Sequence, residues 1–257
     1  MNFNRVIKIG FLFTALLLIS CASNKKILYL QNIDGTANLN EYTTYEPKLQ
    51  NDDLLSIIVA ADQPELTIPF NMPQIQGNYQ INENQDGIKT YLVDSYGYID
   101  FPVVGKIKLA GYTRKEAISI LETEIKEYIT NPKINLRILN YKVSVLGEVN
   151  KPGVIKITSE RITLLEAISQ SGDLTIYGKR NNVLIIRDSE GKKTYSRIDM
   201  TKADFINSPY YYLTQNDVIV VEPNKTKVNA SVIGPNAGVI ISALSLLGTI
   251  IIILTRR

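Results

Sequence analysis

"YLVDSYGYIDFPVVGKIKLAGYTRKEAISILETEIKEYITNPKINLRIL", residues 91–139, decides the fold. The chain changes period twice within it. Gly97, Pro102, Gly105 and Gly111 cut the first half into short strands. At Thr113 the spacing turns helical, and Ala117, Ile118, Leu121, Ile125 and Tyr128 share one face. Thr113 and Glu116 stand as a capping box at its start, where each side chain can satisfy a backbone N–H of the other. Asn131-Pro132 stops the helix, because the residue before proline resists helical geometry. Ile134, Leu136 and Ile138 then alternate, which predicts a strand with one apolar face. Short strands, one helix and a further strand make an α+β module.

Upstream, "LQNDDLLSIIVAAD" (residues 49–62) places a turn at Asn51-Asp52 before a β run from Leu54 to Val59. Residues 62–87 are rich in Asn, Gln and Pro without a period and read as a loop insertion, so the first module covers 45–140. Downstream, "YKVSVLGEVNKPGVIKI" (residues 141–157) predicts two strands around a turn from Gly147 to Gly153. Thr163 and Glu166 repeat the capping box, Leu165 and Ile168 face inward, and Gly172 sits where a helix end favours positive φ. "NVLIIRDSEGKKTYSRI" (182–198) reads as a hairpin turning at Asp188–Gly191, and "DVIVVEP" (217–223) as a closing strand. This second module covers 141–223, with a linker over 224–235. Gln50-Asn51-Asp52 and Gln215-Asn216-Asp217 echo each other, each introducing a β run.

Both termini are apolar. Arg5 and Lys8 precede an apolar run, Ile9 to Ile19, that is too short to span a bilayer and reads as a signal peptide over 1–20. "LISC" (18–21) resembles a bacterial lipobox, which makes Cys21 a lipidation site; an ordinary export signal with an incidental Cys is the alternative. Residues 21–44 read as a polar tether. At the other end, Ala237 to Thr255 carry no charge, and the segment 236–257 is expected to be a single C-terminal transmembrane helix. Gly238, Ser242, Ser245 and Thr249 lie on one stripe of it. That stripe either packs helix against helix or faces an aqueous lumen.

Composition narrows the chemistry. The chain has 257 residues, no His, no Trp and one Cys, so an internal disulfide, a thiolate metal cluster and a His-based nucleophile are excluded. Leaving out Arg5, Lys8, Arg256 and Arg257, 24 basic residues face 25 acidic ones, a balance that argues against nucleic acid. Asp52, Asp53, Asp94 and Asp100 fall in turns or at strand edges, not in a catalytic pair. Phosphate-binding glycine loops are missing, and Tyr210-Tyr211-Tyr212 reads first as half-buried packing and second as a sugar-stacking face. No enzyme activity, cofactor or metal is expected.

The order Gly97, Ile99, Pro102, Gly105, Ile107, Gly111, Thr113, Glu116, followed by a helix ending in Asn-Pro, resembles the polysaccharide export domain. "VSVLGEVNKPGVIKI" and "TLLEAISQSGDL" resemble the soluble-ligand-binding β-grasp (SLBB) module that follows it in the outer-membrane polysaccharide export protein family (Wza type). The resemblance implies two small mixed domains, one of them β-grasp, in an outer-membrane lipoprotein whose bulk lies in the periplasm. It further implies a homo-oligomeric ring that passes capsular or extracellular polysaccharide, with an inner-membrane polysaccharide co-polymerase and its tyrosine kinase as partner. A single β-grasp module stands here where the best-known members carry two. Asn51 replaces the usual Gly in the first turn. Arg256 and Arg257 at the end of the apolar run suit a cytoplasmic face, so the inner membrane stays open beside the outer. A periplasmic glycan-binding lipoprotein with a simple anchor is the competing reading, and a carboxylate-dependent glycan hydrolase a third.

Overall fold

The computed structural model describes residues 27–33, 46–71, 90–189, 191–233 and 237–255. The expected signal peptide, Cys21, most of the 62–87 insertion and Arg256-Arg257 lie outside the described residues.

The first module is built on β1 (Leu54–Ala60), whose alternate residues Leu55, Ile57 and Val59 are buried. A 3-10 turn at Pro64–Thr67 and a short helix α1 (Ile68–Asn71) follow, inside the stretch read as a loop. Phe70 brings its ring into the core, and the Asn71 amide bonds both Val59 backbone groups, so this start of the insertion is tied to β1. Composition concealed it, because one aromatic and one amide suffice to dock four residues.

β2 (Thr90–Leu92) lies on one edge of β1, while β3 (Tyr98–Phe101) and β4 (Gly105–Lys108) form a separate hairpin. Helix α2 spans Arg114–Ile125 with both halves of the predicted capping box made. It ends a turn before Asn131, and Ala117, Leu121, Ile125 and Ile129 are buried. Tyr128, predicted on that face, is half-exposed and meets Phe70 edge-on at 6.0 Å. β5 (Lys133–Ile138) returns antiparallel to β1, giving the sheet order β2-β1-β5. Burying each Leu or Ile of this core stabilises the module by about 1.5–3 kcal/mol.

The second module opens with β6 (Lys142–Gly147) and β7 (Gly153–Lys156), then helix α3 (Leu164–Gln170), again with a complete capping box from Thr163 and Glu166. Leu164, Ala167 and Ile168 take the core, spaced three and four apart; Leu165, expected inward, is half-buried at the margin. β8 (Gly178–Ser189) and β9 (Lys192–Ile198) form the hairpin, and β10 (Val218–Pro223) inserts parallel to β6. The five-stranded order is β7-β6-β10-β8-β9. Gly147 makes the parallel pairing possible. Its φ is +93°, and a Cβ there would stand 2.1 Å from the Val221 carbonyl oxygen.

Residues 27–33, part of the expected tether, lie against the second module. Leu30 and Gln31 N–H groups donate to Met200 and Thr201 carbonyls, and Asn32 Oδ1 accepts from Ala203 N–H at 2.6 Å. Tyr29 donates its hydroxyl to Asp173 while the Arg180 guanidinium stacks over its ring at 5.0 Å.

Helices α4 (Lys225–Ile233) and α5 (Ala237–Thr255) close the chain. The expected C-terminal transmembrane helix is corrected here: among the described residues, no helix is long and apolar enough to cross a membrane. α5 has 19 residues, of which six are Gly, Ser or Thr. It reaches about 28 Å, against about 30 Å of hydrocarbon. The mixed α+β character of the two modules stands; the terminal span does not.

Candidate functional site

The two modules meet at a pair of equivalent turns. In the first, Leu49 is buried, Asp52 adopts φ +67°, and buried Asp53 accepts the Gln50 N–H on Oδ2 at 2.8 Å. In the second, Leu213 is buried, Asn216 adopts φ +63°, and buried Asp217 accepts the Thr214 N–H on Oδ2 at 2.8 Å. The structural equivalence is therefore Asp53 with Asp217, one residue away from the sequence echo, which aligned Asp52 with Asp217. Asn and Asp tolerate the left-handed position at little cost, so either can occupy it.

Asn140, between the modules, joins the turns. Its side chain accepts from Leu54 N–H at 2.9 Å and donates to the Asp52 carbonyl at 2.8 Å. Its own carbonyl accepts from Gln215 Nε2 at 2.9 Å, and Gln215 Oε1 accepts from Lys142 N–H at 2.8 Å. Gln215 is buried, so these amide bonds are shielded from competing water. The clasp fixes one module on the other.

The carboxylates differ. Asp217 is gripped by Arg187, from Nε to Oδ1 at 3.0 Å and from Nη2 to Oδ2 at 2.7 Å, and by the Thr214 hydroxyl. Asp53 Oδ1 is buried without a hydrogen-bond partner among the described residues. Burial pushes the Asp53 carboxyl up to about 6, the Gln50 N–H pulls it back, and the Asp52 charge adds to the rise. Asp94 is a turn carboxylate whose Oδ1 accepts the Tyr96 and Tyr98 N–H groups, chiefly the latter holding it below its usual range. Asp100 lies exposed on β3. Among the described residues, no group of three His, Cys, Asp or Glu side chains is placed to hold a metal ion.

Below the clasp a cleft of about 950 Å³ opens between the modules. Arg114, Lys115 and Ile118 of α2 line one wall with Asn135 and Arg137 of β5; Thr158 to Arg161 line the other. Tyr141 and Ile157, both buried in the second core, form its apolar floor. Arg114 crosses the cleft to Glu160 at 2.8 Å and also donates Nε to the Leu136 carbonyl at 2.7 Å.

The family profile described as polysaccharide biosynthesis/export protein matches residues 41–139, and the SLBB domain profile matches 141–221. The chain thus carries a polysaccharide biosynthesis/export domain followed directly by an SLBB domain. The chain is also 29% identical over 215 residues to the "EPS I polysaccharide export outer membrane protein EpsA" of Ralstonia solanacearum, covering 80% of this chain and 56% of that one. The namesake of Ralstonia nicotianae is 29% identical over the same length, covering 55% of its chain. The chain thus spans just over half the length of these relatives.

The export-family motif residues of the first module are largely structural. Gly97 adopts φ +88° beside the Ala110 Cβ, Ile99 and Ile107 are buried, and Thr113 and Glu116 cap α2. Of the predicted site residues, Gly238, Ser242, Ser245 and Thr249 share α5. Ser242 donates to the Gly238 carbonyl, Ser245 to Ser242 and Thr249 to Ser245, each at 2.8 Å. Their hydroxyls are satisfied within the helix. Tyr210, Tyr211 and Tyr212 are half-buried; Tyr211 meets Phe205 and Tyr212, and Arg187 stacks over Tyr210. Sequence reading missed the clasp residues Asn140 and Gln215 and the cleft. The echo was the one signal that pointed to the clasp.

Proposed function

We propose that this protein is a subunit of the apparatus that exports an extracellular or capsular polysaccharide at the outer membrane. The order of modules carries the reading: an export module over 41–139 runs directly into an SLBB module over 141–221. Relatives aligned across both are named as polysaccharide export outer membrane proteins. Copies assemble into a homo-oligomeric ring, Cys21 bears the lipid that holds each to the outer membrane, and the bulk of the chain lies in the periplasm. An inner-membrane polysaccharide co-polymerase with its tyrosine kinase delivers the polymer.

Within the ring, α5 packs on its neighbours along Gly238, Ser242, Ser245 and Thr249. Two observations support this packing. The stripe hydroxyls turn back onto their own helix, leaving a low surface on which a second backbone can approach closely. Val239, Ile241, Leu246 and Ile253 stand exposed on the same helix.

The test is polymer secretion in cells lacking the gene. Surface polysaccharide is expected to vanish and to return with the wild-type chain. Detergent-extracted protein should run as a multiple of the mature subunit's mass, and Ser245→Leu should reduce its size. Undiminished secretion, or a strictly monomeric extract, overturns the reading.

A further inference from the structure

We infer that the cleft between the two modules binds a segment of acidic, carboxylate-bearing polysaccharide. The inference rests on the export reading for the ligand being a saccharide, and on the cleft itself for its charge. The volume of about 950 Å³ lies at the upper end of ligand clefts, which run to about 1,000 Å³, so it suits an oligosaccharide better than a single ion.

Four cationic side chains line it, Arg114, Lys115, Arg137 and Arg161, against Glu46 and Glu160. Arg114 is neutralised by Glu160 at 2.8 Å. Lys115 and Arg137 have no ion-pair partner among the described residues, and both are exposed. Arg161 lies over the Tyr212 ring at 5.1 Å, which orients its guanidinium without cancelling its charge. Glu46 offsets one of these three, and a net positive charge remains in a protein whose body is otherwise balanced.

The remaining lining has the makeup of a sugar site. Asn135 and Thr158 offer hydrogen-bonding groups, and Tyr141, Ile138 and Ile157 offer an apolar floor for the C–H face of a ring. Arginine forks match carboxylates in bidentate geometry, which favours uronic acids over neutral hexoses. The Arg114–Glu160 bridge and the Asn140 clasp hold the two walls at fixed separation, so the cleft is formed before the ligand arrives.

The experiment is calorimetric titration of the full chain in mild detergent with tri-galacturonate and, separately, with neutral maltotriose. Tri-galacturonate is expected to bind and to weaken with added salt, while maltotriose binds at least about tenfold more weakly. Lys115→Gln and Arg137→Gln should each reduce tri-galacturonate affinity about fivefold. Both side chains are exposed, so unchanged melting will show that folding is intact. Lys192→Gln, on the β8–β9 hairpin away from the cleft, should leave binding unchanged.

Equal binding of the two sugars, no binding, or no effect of Lys115→Gln and Arg137→Gln overturns the inference. So does an oligomer that falls apart in Arg137→Gln with no tri-galacturonate binding, which would make the occupant a neighbouring copy. The two readings fail separately. Loss of secretion on gene deletion without tri-galacturonate binding refutes the cleft and keeps export. Cleft-dependent binding with secretion intact supports the cleft and refutes export.

Discussion

The turns at Leu49–Asp53 and Leu213–Asp217 are two copies of one device with different electrostatics. Each has a buried leucine, a left-handed residue at the fourth position and a buried aspartate taking a backbone N–H three residues back. In the second, Arg187 and Thr214 complete the carboxylate shell. In the first, one oxygen has no partner among the described residues. A charge buried with full hydrogen bonding and a counter-ion is tolerated; one buried with half its shell missing shifts toward its neutral form. The same fold element is thus a fixed joint in one module and a protonation-sensitive one in the other.

The largest expected effect isolates the second module. Gly147→Ala drives a Cβ into the Val221 carbonyl and forces positive φ on alanine, a loss of about 4 kcal/mol. Urea unfolding followed by hydrogen exchange should show β6 and β10 losing protection while β1 and β5 keep theirs. If the first module opens equally, the clasp couples the modules more tightly than the turns distinguish them.

Asp217→Asn comes next. It takes the Asp217 carboxylate away from the Arg187 guanidinium, 14% exposed, and should cost about 3 kcal/mol in urea titrations at neutral pH. The equivalent change, Asp53→Asn, should have the opposite sign and stabilise by about 1–2 kcal/mol at pH 7, since a neutral amide replaces a poorly solvated carboxyl. Two losses of equal size would dissolve the contrast.

The pH dependence follows from the same group. Asp53 titrates at about 6 in the folded chain and near 3.8 when unfolded. Between these values the folded state holds a proton that the unfolded state has released. Stability from this group is therefore greatest below pH 4, falls as pH rises from about 4 to about 6, and is flat above. The full change is up to roughly 3 kcal/mol. Melting across that window should show the slope in the wild type and lose this group's part of it in Asp53→Asn.

The smallest effect concerns the joint. Asn140→Ala removes two side-chain bonds, to Leu54 and Asp52, and should cost about 1–2 kcal/mol. It should also separate the modules' unfolding transitions, read by calorimetry. A single unchanged transition would mean that Gln215 alone maintains the joint.

Much of the fold was legible because it is local. Thr113 with Glu116 and Thr163 with Glu166 announced two helix starts, and the β-rich run Leu54–Val59 after its turn announced a strand whose partner was not specified. Helix ends were less legible. α2 stops at Ile125, a turn before Asn131-Pro132, and the Tyr128 and Ile129 N–H groups close that turn on the Ile125 carbonyl. The Asn/Gln-rich stretch hid α1, whose Phe70 is recognisable as core only once β1 and Phe101 lie beside it. The sequence echo marked the paired turns but misaligned them by one residue. Which aspartate enters the interior depends on the turn geometry, and both Asp52 and Asp53 were available. The apolar C-terminal run predicted a helix correctly and its crossing of a membrane wrongly.

By itself, the sequence determined the α+β modules in their order and the helix caps, since each depends on residues close together in the chain. Only the tertiary structure decided that Asn140 and Gln215 would clasp the modules, and that Arg114, Arg137 and Arg161 would share one cleft. Only it decided that Asp53 would lack the arginine that Asp217 has. The physical reason is separation along the chain: Arg187 lies 30 residues from Asp217 and Gln215 lies 75 from Asn140. Contacts over such distances leave no periodic trace in the residues between them.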